Sequence, residues 1–158
     1  MELTAYHEAG HAFMATVLGA KVRSVTIEPD NDDGPERFGD TQIIWRRSRL
    51  SDSEFCERAI QVSLAGPVAE MLYSGDPYHP GLVAEWANDW QAAWELAEPL
   101  FAAPRKRLEY LEGVTGELYR MMDSEPNWSA VAALADSLLA HETLEAEEVK
   151  EIVSDWLG

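Results

Sequence analysis

The chain has 158 residues, of which 46% are hydrophobic, enough apolar material for a packed core and too much for a wholly disordered polymer. Lys and Arg number 12 against 29 Asp and Glu, a formal net charge of −17. That balance excludes the basic footprint that nucleic acid requires and argues against docking on anionic lipid, so neither nucleic acid nor a membrane is expected as a partner. Cys56 is the single cysteine. No intrachain disulfide and no cysteine-based zinc cage can form, which suits a reducing, cytoplasmic setting. No apolar run approaches the roughly 20 residues of a membrane span, Met1 to Thr4 shows no signal peptide, and the nucleotide-binding pattern GxxxxGK[ST] is absent.

Taken in chain order, Thr4 to Leu18 reads as a helix, with Thr4 as its N-cap and Gly19 as its stop. Val22 to Glu28 alternates apolar and polar residues like a strand, and Gly39 to Trp45 reads as a second strand able to pair with it. Between them, Asn31 to Pro35 is rich in turn formers. Ser51 with Glu54 three residues on signals a capping box at the head of a helix from about Asp52 to Tyr73, which Pro67 should kink or break. Ser74 to Gly81 is a connecting loop, and a third helix follows from about Leu82 to Leu100. Further helices are expected over about Arg105 to Met122, Asn127 to Ala140 and Leu144 to Trp156, with Thr143 capping the last. The sum is a mostly α (α+β) fold, a single domain over residues 1–158 with a small β element after the first helix.

His7-Glu8-Ala9-Gly10-His11 is an H-E-x-x-H motif inside the first helix. Residues four apart on a helix lie about 40° apart around the axis and one turn along it, so both imidazoles can share one Zn²⁺. Glu8 sits beside them, placed to act as general base toward water rather than to bind the metal. The small Ala9 and Gly10 would let a neighbouring helix approach closely.

A third ligand must come from elsewhere. At about 100° per residue, with Trp86 set at zero, Trp90 and Trp94 fall near 40° and 80° and Asp89 near 300°. The polar Asn88, Gln91 and Glu95 lie between roughly 120° and 260°. Asp89 is therefore alone among apolar neighbours, where a carboxylate is costly unless paired or bound to a metal. Glu70 is a competitor, as a ligand or as a partner holding a histidine ring N–H. His79 is a weaker one, in a loop between two prolines and expected to be exposed. Met14 stands where HExxHxxGxxH requires glycine, which excludes the three-histidine variant. Trp86, Trp90 and Trp94 form a stripe that either packs into the core or serves as a lid or interface.

Beyond these residues, the chain resembles the peptidase domain of FtsH-type zinc proteases, membrane-anchored enzymes with an AAA ATPase module. Thr4 to Ala12 is similar to that family's zinc helix, and Val25-Thr26-Ile27-Glu28-Pro29 to the strand that follows. Ala65-Gly66-Pro67-Val68-Ala69-Glu70 resembles its Gly-Gly-Arg-Ala-Ala-Glu segment, Ala87-Asn88-Asp89 its Ser-Asn-Asp helix, and Leu138 to Leu144 its Leu-Leu-x-x-Glu-Thr-Leu run. The resemblance implies His7, His11 and Asp89 as zinc ligands, Glu8 as catalytic base and Glu70 as a supporting carboxylate. It also implies a mostly helical fold whose edge strand holds an extended peptide, for which Gly39, Thr41 and Ile43 are the candidates. Six residues precede the motif, with no AAA module or membrane segment among them, Pro67 replaces the family's Arg, and Phe101 to Pro104 is much shorter than the family's segment. The expected activity is soluble, ATP-independent zinc endoproteolysis of flexible or unfolded polypeptide, in a homo-oligomer or with a separate unfoldase. The alternative is a non-catalytic module that binds a peptide or an assembly partner.

Overall fold

A computed structural model describes residues 1–29, 39–75, 79–80, 83 and 86–158. The described residues form six α-helices and a small sheet: α1 (Glu2–Val17), β1 (Lys21–Thr26), β2 (Asp40–Ile44), α2 (Asp52–Ser74), α3 (Ala87–Ala97), α4 (Pro104–Asp123), α5 (Asn127–His141), β3 (Thr143–Glu145) and α6 (Ala146–Leu157). The fold is mostly α with a small β element, as the sequence led us to expect.

α1 is the central element. Residues on nearly all its sides are buried, including Ala5, Ala9, Ala12, Phe13 and Ala15, the mark of a helix enclosed by others. It packs against α2 and α5. Gly10 makes the α1–α2 approach possible. A Cβ there would come within 2.5 Å of the Ala65 carbonyl oxygen and 2.7 Å of Ala69 Cβ, closer than packed atoms allow. Ile60, Leu64 and Val68 of α2 meet Leu134 and Leu138 of α5 in the same core, joined by Val25 and Leu144 from the sheet.

The sheet is antiparallel throughout, in the order β2-β1-β3. Val25 pairs with Thr41 on one side and Leu144 on the other, and a bulge lies between Val22 and Ser24. β2 is therefore an edge strand, carried past the side of α1.

Several expectations are corrected. α1 begins at Glu2 with Met1 at its N-cap, and Thr4 is already helical, because the Ala5 amide bonds to the Met1 carbonyl at 2.9 Å. α2 continues through Pro67 without ending. A proline in a helix interior costs about 3 kcal/mol, but Leu64 and Val68 on either side are wholly buried and contribute roughly 1.5–3 kcal/mol each. Ser51 and Glu54 do form the capping box. Thr143 is not a cap but the first residue of β3, its Oγ1 2.8 Å from Thr26 Oγ1, and Glu145 with Glu148 caps α6 instead. α3 ends at Ala97, short of Leu100. The turn Asn31 to Pro35 and the start of the third helix at Leu82 lie outside the described residues.

Candidate metal centre

α1 presents His7 and His11 one turn apart, and each ring has its Nδ1 side engaged. His7 Nδ1 lies 3.1 Å from Glu70 Oε2 on α2, and His11 Nδ1 lies 2.7 Å from the Val62 carbonyl oxygen. A carbonyl can only accept, so the His11 Nδ1 carries the proton, and the Glu70 carboxylate asks the same of His7. Each ring in its neutral form would then offer its Nε2 lone pair to a metal, and the two Nε2 atoms lie 3.1 Å apart. The His11 ring lies against Gly66, where a Cβ would meet ring atoms at 2.4–2.9 Å.

The first turn of α3 brings in Asp89. Its Oδ2 is 2.8 Å from His7 Nε2 and 3.4 Å from His11 Nε2. Two imidazole nitrogens and one carboxylate oxygen thus converge within 4.8 Å of one another. Among the described residues no other three His, Cys, Asp or Glu side chains do so. The donor set fits zinc. Four-coordinate zinc at about 2.1 Å from each donor needs donor–donor separations of roughly 3.4 Å; those found are 2.8, 3.1 and 3.4 Å, so the group would open by a few tenths of an ångström around an ion. With three protein donors, one position would remain open, the pattern of a catalytic rather than a structural site.

The metal-free electrostatics describe the same convergence. Burial is the largest influence on His7 and favours its neutral form, but hydrogen bonds to Asp89 and Glu70 outweigh it and raise its pKa to about 10. His11 is raised for related reasons, against its own burial, chiefly by Asp89. Burial also works against the Asp89 carboxylate, yet the two imidazoles hold its pKa far below the usual range. Two imidazoles drawn this tightly onto one carboxylate form the kind of cluster whose proton charge a divalent cation would replace.

Glu8 is 5% exposed. Thr41 Oγ1, on β2, donates to its Oε1 at 3.1 Å. Burial raises the Glu8 pKa, partly opposed by His11, His7 and the Thr41 hydrogen bond, the direction a general base working near neutral pH requires.

The remaining candidates fall as follows. Glu70 does not join the three converging donors; it touches His7 from behind. Gly39 packs on Glu8, leaving 2.8 Å between a Cβ built there and Glu8 Cγ. Ile43 packs against the core. His79 is not simply exposed: it is half-buried, edge-on to Trp90 at 4.6 Å and 3.9 Å from Glu112. Of the tryptophan stripe, Trp86 is buried, while Trp90 and Trp94 pack partly buried against the core. Two partners have no signal in the sequence. The Val62 carbonyl is invisible to any side-chain pattern. The Trp86 indole N–H, which donates to Glu70 Oε2, is concealed within an apolar stripe.

No family model matches the chain. Curated relatives do. An ATP-dependent zinc metalloprotease FtsH of Acidimicrobium ferrooxidans is 39% identical over 61% of this chain and 14% of its own length. FtsH 4 of Sorangium cellulosum is 30% identical over 95% of this chain and 28% of its own, and FtsH 2 of Symbiobacterium thermophilum is 29% identical over 95% and 30%. The chain spans less than a third of the length of these relatives, and no helix among the described residues is long and apolar enough to cross a membrane. Zinc is the metal these relatives imply for the His7, His11 and Asp89 group. The chain is a homologue of the FtsH zinc metalloproteases, matched along most of its own length and along a minor part of theirs.

Proposed function

We propose that residues 1–158 act as one zinc metallopeptidase domain that cleaves flexible or unfolded polypeptide without ATP, in the cytoplasm. The observation that carries this reading is the convergence of His7 Nε2, His11 Nε2 and Asp89 Oδ2, with the buried Glu8 carboxylate near enough to interact electrostatically with all three. His7, His11 and Asp89 would hold the ion. Zinc bound there supplies Lewis acidity toward water and a peptide carbonyl.

The chain's own groups do the rest. Glu70 and the Val62 carbonyl fix both imidazoles with Nδ1 protonated, so that Nε2 is always the nitrogen on offer. Glu8, held by Thr41, takes a proton from the attacking water and returns it to the leaving amine. Main-chain groups of residues 39–43 offer an extended substrate the side of β2 that pairs with no strand among the described residues, adding a strand to the sheet beside Glu8. In this role Thr41 faces Glu8, and Ile43 contributes backbone while its side chain stays with the core. Such an edge accepts only polypeptide that is already extended. Folded substrates would need a separate unfoldase, and association into a homo-oligomer is the other partnership proposed.

Glu8→Gln tests the reading. It preserves shape and should retain one zinc per chain while slowing chelator-sensitive casein cleavage by about 10²–10⁴-fold. Unchanged cleavage by a zinc-loaded Glu8→Gln protein would refute the assignment of the base. Absence of casein cleavage in the parent, with zinc bound, would favour a binding module instead.

A further inference from the structure

Resting on that reading of the metal centre, we infer that Trp86 is a positioning residue for it, acting on two ligands through one hydrogen bond. Trp86 is the N-cap residue of α3 and is 6% exposed. Its indole N–H donates to Glu70 Oε2, the same oxygen that receives His7 Nδ1. A carboxylate held by one donor can still swing about its side chain. Held by two donors from different elements, it is fixed, and so is the ring that leans on it.

The second effect runs along the backbone. Asp89 follows Trp86 by three residues, one turn into α3. Among the described residues no side chain caps the N-terminus of α3, and the indole–carboxylate bond ties that end of α3 to α2 across the site. Trp86 therefore orients His7 from behind and sets the place from which Asp89 reaches the two Nε2 atoms. Any buried indole N–H needs an acceptor. Here the acceptor is the oxygen already engaged by His7 Nδ1, and that shared oxygen joins packing to positioning.

The test uses the zinc-loaded chain. Trp86→Phe keeps an aromatic ring and removes the N–H. Replacement of Trp86 by benzothienylalanine removes only the N–H, at unchanged ring shape, and covers a failure of the phenylalanine variant to fold. Zinc affinity is measured by competition with a chromophoric chelator, and the His7 Nδ1–H resonance is followed by NMR. Both variants should bind zinc about tenfold more weakly, and the His7 Nδ1–H signal should shift or broaden while the other five indole N–H signals stay in place. A merely structural role would lower thermal stability without moving that resonance. Parent-like affinity and an unmoved His7 signal in the benzothienylalanine protein would overturn the inference and leave the metal centre standing. A parent protein that binds no zinc would overturn both.

Discussion

Gly66→Ala asks whether the metal centre depends on the fit between α2 and the His11 ring. A Cβ at position 66 would lie 2.4 Å from His11 Nε2 and 2.6 Å from Cε1, where ordinary contact begins at 3.4 Å. The ring must give way by roughly 3.4 − 2.4 = 1.0 Å. It cannot slide freely, because Nδ1 is tethered to the Val62 carbonyl at 2.7 Å, one turn earlier on the same helix. Metal–ligand distances tolerate only about 0.2 Å. Zinc affinity should fall by at least about 100-fold. Folding should survive: alanine gains about 1 kcal/mol over glycine in a helix interior, and overpacking costs roughly 1–3 kcal/mol. Chelator competition and thermal melts of the same preparation separate the two effects. Gly113→Ala is the control, since nothing lies within 4 Å of a Cβ there; it should leave zinc binding unchanged and stabilise α4 by up to about 1 kcal/mol. A Gly66→Ala protein that binds zinc like the parent would refute the packing argument.

The remaining predictions concern charge, packing and helix approach. In the metal-free protein, His7 has a folded-state pKa of about 10 against an ordinary histidine value of 6.5. Its contribution to stability is fully present below 6.5 and is lost as pH rises toward 10. Zinc requires neutral imidazole, so zinc affinity should instead rise with pH, with protons released on binding. Calorimetry in buffers of different ionisation enthalpy would detect them, and a zinc affinity independent of pH between about 6 and 9 would contradict the assigned charge states. Arg107 is 7% exposed, donates Nε to the Phe101 carbonyl at 2.9 Å and Nη2 to the Ala102 carbonyl at 2.8 Å, and lies over the Trp94 ring at 4.6 Å. Arg107→Ala should destabilise the fold by about 2–4 kcal/mol in denaturant melts; a loss below about 0.5 kcal/mol would show that these bonds are replaced by water. Gly10→Ala would drive a Cβ into the Ala65 carbonyl at 2.5 Å and should cost about 1–3 kcal/mol, whereas an unchanged melting curve would show that α1 and α2 can part without loss.

Periodicity and spacing disclosed the parts of the site that depend on a single helix. His7 and His11, four residues apart, share a face of α1 with Glu8 at its border, and helical periodicity set Asp89 on the apolar side of α3, where its carboxylate lies 2.8 Å from His7. What sequence could not disclose are contacts between elements. β3 has three residues, too few to show alternation, and its partner Thr26 is 117 residues from Thr143. The continuity of α2 through Pro67 depends on buried neighbours rather than local propensity. Thr4 has the side chain of a cap because threonine favours that position, yet one more turn of helix was available at the start. Thr41 stands out on the edge strand from sequence, but its hydrogen bond to Glu8 needed the sheet to be placed against α1.

The most direct test is a zinc anomalous difference map from crystals of the zinc-loaded chain. The account predicts a single peak bounded by His7 Nε2, His11 Nε2 and an Asp89 carboxylate oxygen, with Glu70 on His7 Nδ1 and outside bonding distance of the ion. A peak ligated by Glu70 in place of Asp89, or one elsewhere on the molecule, would contradict it.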